Sequence, residues 1–187
     1  MIYTNCINLG RSNIIMERNI ELVPIKEDDK EWFIRDLQKA FAFAVVEEFG
    51  NQEDEIIPRE DITEAMDTKG AETYHIISNG KIVGGVVVVI NAKTQRNSLA
   101  LLFINQTYQS KGIGLAVWRK IEQMYPETKV WETVTPYFEK RNIHFYVNKC
   151  GFKIVEFFNS RHADSNEGGG NVQENECMFR FEKVMSK

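Results

Sequence analysis

Gln109-Ser110-Lys111-Gly112-Ile113-Gly114 is the stretch around which the rest of the 187-residue chain is organised. It follows an apolar run, Leu99 to Ile104, and precedes a stretch with helical spacing, Leu115 to Met124. A strand that passes through a glycine turn directly into a helix leaves backbone N–H groups unpaired at the positive end of the helix dipole. The stretch therefore predicts an anion site that suits a phosphate.

The two best-known phosphate loops do not fit this stretch. A P-loop ends in Gly-Lys-Ser/Thr, and a dinucleotide-binding fingerprint needs a third small residue where Val117 stands. A Gly-x-Gly turn alone more often joins a strand to a helix without holding any ligand. The sequence on either side has to decide between these alternatives.

Length and composition indicate one globular domain. With 43% hydrophobic residues and a net charge of −4 at pH 7, the chain is able to bury a sizeable core. Lys and Arg are neither in excess nor gathered in a block, which argues against a nucleic-acid partner. We expect a single domain over residues 16–187, preceded by a loose extension over residues 1–15.

The cysteines and the hydropathy pattern favour a cytoplasmic location. Cys6, Cys150 and Cys177 are odd in number and widely spaced, so neither a disulfide framework nor a zinc site is predicted. We expect no metal. The sequence has no uninterrupted apolar span of membrane length and no signal-peptide pattern, so no membrane partner is expected.

Hydrophobic periodicity predicts a mixed α/β arrangement. Asn79-Gly80 between two apolar runs is a strong hairpin signal, and the continuous run from Val86 to Ile90 indicates a strand covered on both faces. Strands are predicted at 19–23, 73–78, 81–90, 99–104, 129–135, 152–158 and 177–184, and helices at 28–50, 58–68, 113–124 and 138–149. A polar, glycine-rich loop at 159–176 is expected to be mobile.

This order of elements resembles the GCN5-related N-acetyltransferase (GNAT) superfamily from about Asn19 to Val184. Asn105 to Gly114 looks like the acetyl-CoA pyrophosphate motif, Gln/Arg-x-x-Gly-x-Gly/Ala, and the stretch from Asn142 through Gly151-Phe152 looks like the second motif. The resemblance implies an α/β (α+β) fold. Its mixed central sheet would have six to seven strands, flanked by about four helices, with two parallel strands splayed at the cofactor cleft.

The resemblance also assigns the cofactor, acetyl-CoA, to particular residues. In the family the pantetheine arm bonds to the exposed backbone of the strand before the turn, which by position is Leu102 and Ile104. The pyrophosphate would lie on the turn and the start of the helix. The residues implied on that side are Gln109, Ser110, Lys111, Gly112, Ile113, Gly114 and Leu115, with Asn142 and Tyr146 contributed by the second motif.

The catalytic acid implied by the resemblance is Tyr146, which would protonate the departing thiolate. The family usually has this tyrosine four residues before Gly-Phe, whereas Tyr146 stands five before Gly151 and Val147 occupies the expected place. Tyr146 reaches the site only if an extra residue is absorbed near the helix end, and is otherwise a core aromatic. Glu139 stands where the family has an asparagine, and Asn142 shares a helix face with Tyr146 and could orient it.

Glu132 is the predicted general base because it interrupts a strand, Val130 to Val134, that should be buried beside the cleft. A desolvated carboxylate has a raised pKa suited to accepting a proton, but an ion pair with an arginine is the competing interpretation. His75, Glu47, Glu48 and water are further candidates. Cys150 could form an acetyl-cysteine, although a helix C-terminus disfavours a thiolate.

We therefore expect an acetyl-CoA-dependent N-acetyltransferase that modifies a primary amine of a small molecule or peptide by direct attack in a ternary complex. Acidic residues near the first two helices mildly favour a cationic amine: Glu47, Glu48, Glu53, Asp54 and Glu55. A catalytically inactive CoA-binding sensor or partner module is the alternative. The sequence leaves open whether the protein is a monomer or a homodimer.

Overall fold

Seven strands form one mixed sheet in the computed structural model, which describes residues 19–49, 57–162 and 177–186, with backbone alone for 43–49. The spatial order of the strands is β1-β2-β3-β4-β5-β7-β6. Only β4 and β5 run parallel; the other neighbouring pairs are antiparallel. The bounds are β1 Ile20–Pro24, β2 Ala71–Ser78, β3 Lys81–Val89, β4 Arg96–Ile104, β5 Val130–Pro136, β6 Lys153–Phe158 and β7 Met178–Val184.

Four helices cover the sheet within the same described ranges. They are α1 Lys30–Phe49, α2 Arg59–Asp67, α3 Ile113–Met124 and α4 Lys140–His144, the last of which continues as a π-helical turn, Phe145–Cys150. The predicted hairpin is confirmed, since Asn79 and Gly80 have φ values of +51° and +73°, the left-handed values that this turn requires. None of these helices is long and apolar enough to cross a membrane.

The helices pack on both faces of the sheet. On one face the buried core includes Trp118 of α3 and Trp131 of β5, whose ring centroids lie 5.4 Å apart. On the other face Phe33 of α1 meets Phe103 of β4 at 5.3 Å. Val86, Val87 and Val88 have no exposed surface, so the strand predicted to be covered on both faces is indeed covered.

The sheet opens between β4 and β5. These strands pair only where Arg96 to Ser98 face Val130 to Glu132, and the pairing stops before β4 reaches its end at Ile104. At the point of separation the Thr133 hydroxyl donates a hydrogen bond to the Leu99 carbonyl, with an O···O distance of 2.9 Å. The predicted splay of the parallel strands is therefore confirmed, and it leaves one edge of β4 facing open space.

Several sequence predictions lie outside the described residues. They are the extension over residues 1–15, Cys6, the acidic residues at 53–55 and the loop beyond residue 162. The side chains of Glu47 and Glu48 are also outside the description. The domain boundaries proposed from the sequence therefore stay predictions.

Candidate active site

A groove of about 710 Å³ lies where β4 and β5 separate. One wall is built by the end of β4 and the glycine turn, the other by α4 and its π-helical turn, and Ala40 and Phe41 of α1 close one side. Of the residues predicted from the sequence, those that line the groove are Leu102, Ile104, Gln109, Ser110, Gly112, Ile113, Gly114, Leu115, Asn142 and Tyr146. The described lining does not include Lys111 or Glu132.

The glycine turn presents backbone N–H groups to this groove. Gly112 is the N-cap of α3 with φ +75°, and Ser110 also has a positive φ, +58°. The Ala116 N–H bonds to the Gly112 carbonyl at 3.2 Å, so the helix does not use the amides of residues 113–115, which lie before its first intrahelical bond. These amides, at the positive end of the α3 dipole, can bind an anion.

Gly114 is small because the two walls of the groove approach each other there. A Cβ built on Gly114 would lie 3.3 Å from Cε2 of Phe145, on the opposite wall. By contrast, a Cβ on Gly112 would meet nothing within 4 Å. Position 112 therefore requires glycine because its backbone is left-handed. Position 114 requires glycine because a side chain there would narrow the groove.

The open edge of β4 supplies backbone groups to the same groove. The Asn105 N–H donates to the Val83 carbonyl of β3 at 2.8 Å. Because successive residues of a strand aim their backbone groups in opposite directions, the N–H and C=O of Leu102 and Ile104 face away from β3, towards the gap. The Ile104 carbonyl accepts a bond from Gln109 Nε2 at 2.9 Å, which leaves the Ile104 amide and both groups of Leu102 aimed at the groove.

The Lys111 side chain folds away from the groove. Its Nζ donates to the Thr107 carbonyl at 2.7 Å and lies 5.4 Å from the centroid of the Tyr108 ring. Lys111 was predicted as a binding residue, and that role stays a prediction.

The opposite wall carries Tyr146, which the π-helical turn places in the groove. The Gly151 N–H bonds to the Tyr146 carbonyl five residues earlier, and the Phe152 N–H bonds to the same carbonyl at 2.9 Å. A π turn takes up one more residue than an α turn does. The extra residue between Tyr146 and Gly151 is absorbed in this way, which is the condition that the sequence set for Tyr146 to reach the site.

The Tyr146 phenol is surrounded by aromatic rings. The centroids of Phe145, Phe152 and Phe181 lie 5.4, 5.7 and 5.6 Å from that of Tyr146, and the residue is 7% exposed. Burial raises the pKa of Tyr146 to about 12, and the Thr133 hydroxyl acts on that pKa in the opposite direction. Tyr146 therefore carries its proton at neutral pH.

The sequence did not single out several charged groove residues as site residues. Glu139 precedes α4 and is 8% exposed, and its charge acts on the Tyr146 phenol. Cations line the same wall: Lys140, Arg141 and Lys149. Arg141 Nη2 also donates to Gln109 Oε1 at 2.9 Å across the groove. The sequence did point to position 139, since counting back from Tyr146 places Glu139 where the family has an asparagine. The cations gave no such signal, because charged residues on a short helix are typical of an exposed surface.

Glu132 lies on the other face of the sheet. Its carboxylate is paired with Arg96, whose Nη2 also bonds to Glu182 Oε1 at 2.7 Å. Side chains alternate along a strand, so Glu132 points away from its neighbours Trp131 and Thr133, which face α3 and α4. The competing interpretation, an ion pair with an arginine, is the arrangement observed.

His75 and Cys150, the other candidates whose side chains are described, do not line the groove. His75 is buried in β2, with Nε2 3.6 Å from Asp29 Oδ2 and the Trp32 ring against it. Burial raises the pKa of the Cys150 thiol to about 12, which disfavours the thiolate that an acetyl-cysteine route requires. The described residues contain no group of three or more His, Cys, Asp or Glu placed to hold a metal.

Comparison with known proteins identifies the relatives of this chain. The sequence profile of the acetyltransferase (GNAT) family matches residues 28–152. The uncharacterized protein YrkN of Bacillus subtilis is 49% identical over 178 residues, which cover 91% of this chain and 96% of YrkN.

Solved structures share the fold at low sequence identity. An acetyltransferase from Thermus thermophilus matches with a TM-score of 0.63 at 14% identity, covering 89% of this chain and 97% of its own. A Bacillus subtilis acetyltransferase in complex with CoA matches with a TM-score of 0.58 at 18% identity, covering 89% and 98%. Spermidine N-acetyltransferase from Vibrio cholerae, in complex with CoA and spermine, matches with a TM-score of 0.62 at 10% identity, covering 88% and 95%.

Proposed function

Because the chain belongs to the acetyltransferase (GNAT) family, we propose that it transfers the acetyl group of acetyl-CoA to a primary amine of a small molecule or peptide, by direct attack in a ternary complex. The observation that carries this proposal is the groove between β4 and α4. Amides of the α3 N-terminus that make no intrahelical bond form one wall, and a protonated tyrosine lies in the other. The proposed anion site and the proposed proton donor thus share one cleft.

The groove offers binding groups for both the pyrophosphate and the pantetheine arm of acetyl-CoA. Bound acetyl-CoA supplies the acetyl group as an activated thioester. The amides at the start of α3 would hold the pyrophosphate, and the β4 backbone at Leu102 and Ile104 would bond to the pantetheine arm. Lys140, Arg141 and Lys149 add positive charge to the opposite wall, which suits a ligand that carries several phosphate charges.

Tyr146 is the proposed general acid. As the amine nitrogen bonds to the carbonyl carbon and the C–S bond breaks, the phenol donates its proton to the leaving sulfur. A buried phenol fulfils one requirement of this role, since it keeps its proton until the leaving group develops negative charge. Asn142, one helical turn before Tyr146 on the same wall, would orient the phenol or a water molecule.

Glu139 is the proposed acidic group on the acceptor side, in place of Glu132. Among the described residues that line the groove it is the buried carboxylate, and it lies close enough to act electrostatically on Tyr146. A carboxylate in a cleft of low polarity attracts an ammonium group and can accept its proton. We therefore favour a cationic amine as the acceptor.

Two measurements test the proposed function. Acetyl-CoA should raise the melting temperature, as expected for a ligand that binds only the folded state. Release of CoA thiol should be followed with a panel of amines that contains diaminopentane, agmatine, a lysine-ended peptide and an uncharged arylamine. Turnover restricted to the cationic amines supports the acceptor class, and absence of any thermal shift at millimolar acetyl-CoA contradicts the whole proposal.

A matched pair of variants separates the two carboxylates. We expect Glu139→Gln to lower kcat/KM for the preferred amine by about tenfold or more, because an ionic contact and a proton acceptor are lost. Glu132→Gln should leave kcat/KM within about twofold, since an exposed ion pair contributes little. If the protein binds acetyl-CoA but shows neither amine acetylation nor slow hydrolysis of the thioester, the inactive binding module is favoured instead.

Location in the cytoplasm and the choice between monomer and homodimer stay predictions.

A further inference from the structure

The Tyr146 phenol presents a chemical difficulty as a proton donor. Its pKa is raised to about 12, whereas an ordinary thiol has a pKa of about 8.5. Proton transfer from such a phenol to a thiolate is uphill unless the phenolate that forms is stabilised. The burial that keeps the phenol protonated thus also makes it a reluctant acid, so a hydrogen-bond donor to its oxygen is needed.

Thr133 brings a hydroxyl group to the buried surroundings of the Tyr146 ring. It is 5% exposed on β5, and its direct cross-strand partner on β7 is Phe181, whose ring packs 5.6 Å from the Tyr146 ring. Thr133 and Tyr146 are therefore both neighbours of Phe181. In the structure the Thr133 hydroxyl donates to the Leu99 carbonyl at 2.9 Å, at the apex of the splay.

We propose that Thr133 is a positioning residue for Tyr146, whose hydroxyl turns from the Leu99 carbonyl to the Tyr146 oxygen when the phenol gives up its proton. This inference rests on the proposed function. A threonine hydroxyl carries one hydrogen that rotates about the Cβ–Oγ1 bond and two lone pairs. In the resting arrangement Thr133 can accept from the phenol while it donates to Leu99, and a single rotation makes it the donor.

The protons balance over one turnover. An ammonium acceptor loses two protons, one to Glu139 before the attack and one as the amide forms. The phenol gives its proton to sulfur, the phenolate takes up the second proton of the amine nitrogen, and Glu139 releases the first to solvent. The Thr133 hydroxyl keeps its own hydrogen throughout and changes only the acceptor of its hydrogen bond. No oxidant or further reactant is required.

The other groups that face the phenol oppose its ionisation. Cys150 on the π-helical turn and Glu139 before α4 both raise the pKa of Tyr146, as does burial itself. The rings of Phe152 and Phe181 add no hydrogen-bond donor of ordinary strength. Among the described residues, Thr133 is the group that acts on the phenol in the direction an acid requires.

The test replaces Tyr146 with 3,5-difluorotyrosine, whose phenol is more acidic and ionises in an accessible pH range. Its absorbance is titrated without acetyl-CoA or amine in four otherwise identical proteins: Thr133 unchanged, Thr133→Val, Thr133→Ser and Thr135→Val. Thr135 is the matched control because it is 3% exposed and faces the same side of β5 two residues further on.

We expect Thr133→Val to raise the phenol pKa by about one unit, the size of one hydrogen bond to a charged group. Thr133→Ser and Thr135→Val should leave it unchanged. With Tyr146 restored, Thr133→Val should lower kcat about tenfold with little change in KM for acetyl-CoA. If Thr133→Val does not fold, Thr133→Cys replaces it, because a thiol is a much weaker donor.

Equal pKa shifts in Thr133→Val and Thr135→Val, or no shift in Thr133→Val, would overturn the inference. The titration uses no substrate, so this result would leave the proposed function intact. Failure to bind acetyl-CoA would instead sink the proposed function, whatever the titration shows.

Discussion

The two walls of the groove are built on different principles. The α3 wall consists of backbone amides in the first turn of the helix, whose direction is fixed by the left-handed backbone of Gly112. The α4 wall offers side chains, among them Tyr146 and Glu139, whose direction depends on the register of a helix end. Backbone amides keep their positions when most side chains are substituted. The chemistry of the other wall is lost when a single side chain points away from the groove. Affinity for acetyl-CoA and the rate of acetyl transfer should therefore respond to different substitutions.

The largest effect is expected at the side-chain wall, from Tyr146→Phe. Loss of a general acid typically costs two to three orders of magnitude in rate, so kcat should fall by about 100- to 1,000-fold. The dissociation constant of acetyl-CoA should change by less than about threefold, because the amides of the other wall are untouched. Steady-state kinetics and calorimetric titration measure the two quantities. A large loss of affinity with kcat preserved would reverse the assignment of the walls.

Gly114→Val should break the backbone wall. Its Cβ begins 3.3 Å from Phe145, and the two further methyl groups would narrow the groove. We expect acetyl-CoA affinity to fall by about tenfold to 100-fold, which corresponds to 1.4–2.8 kcal/mol at about 1.4 kcal/mol per factor of ten. Gly114→Ala is the graded control, with a smaller loss. Equal affinity in all three proteins would show that this wall does not hold the donor.

Deletion of Asn148 should convert the π-helical turn into an α turn. Asn148 is exposed, and its removal leaves Tyr146 four residues before the glycine. An α turn is the commoner and more regular conformation, so the shortened helix end should close without displacing its neighbours. We therefore expect Tyr146 to stay in the groove and kcat to fall by no more than about tenfold. Deletion of the exposed Lys120 from α3 is the matched control. That helix has no extra residue to lose, so the side chains beyond the gap rotate by about 100° and folding should fail. If both deletions abolish folding, the π turn is structurally required.

The smallest effect is expected from Lys111→Ala. Its ammonium group is held by the Thr107 carbonyl and the Tyr108 ring, so the backbone N–H that remains in alanine should suffice. The dissociation constant of acetyl-CoA should change by less than about twofold at physiological salt, measured by calorimetry. A tenfold loss would mean that the lysine turns into the groove when the donor binds.

Local patterns predicted most of the fold. The turn at Asn79-Gly80, the doubly covered β3 and the strand-to-helix passage at Gly112 each depend on a few neighbouring residues, so the sequence contains them in full. The splay of β4 and β5 followed from the resemblance. These features also define the side of the groove proposed for acetyl-CoA, and the residues predicted there, Lys111 excepted, line the groove.

Contacts between distant residues explain what the sequence could not resolve. Glu132 looked like a buried base because its partner, Arg96, lies 36 residues earlier and becomes a neighbour only through the sheet. Glu139 looked like a substitution for asparagine until the groove showed its burial. Whether the Tyr146 side chain enters the groove depended on the hydrogen-bond pattern of one helical turn. Residue types alone do not specify that pattern.

The π-helical turn at Phe145–Cys150 has a consequence for how this chain is related to others. A residue gained within a regular helix would rotate everything on one side of it by about 100°, which would remove either the phenol or Gly151-Phe152 from its position. A widened turn confines the extra residue to one loop of backbone, so both flanking stretches keep their places. The turn therefore accommodates one residue more than the usual family spacing, and family members that keep that spacing should be aligned with a one-residue gap between the tyrosine and the glycine.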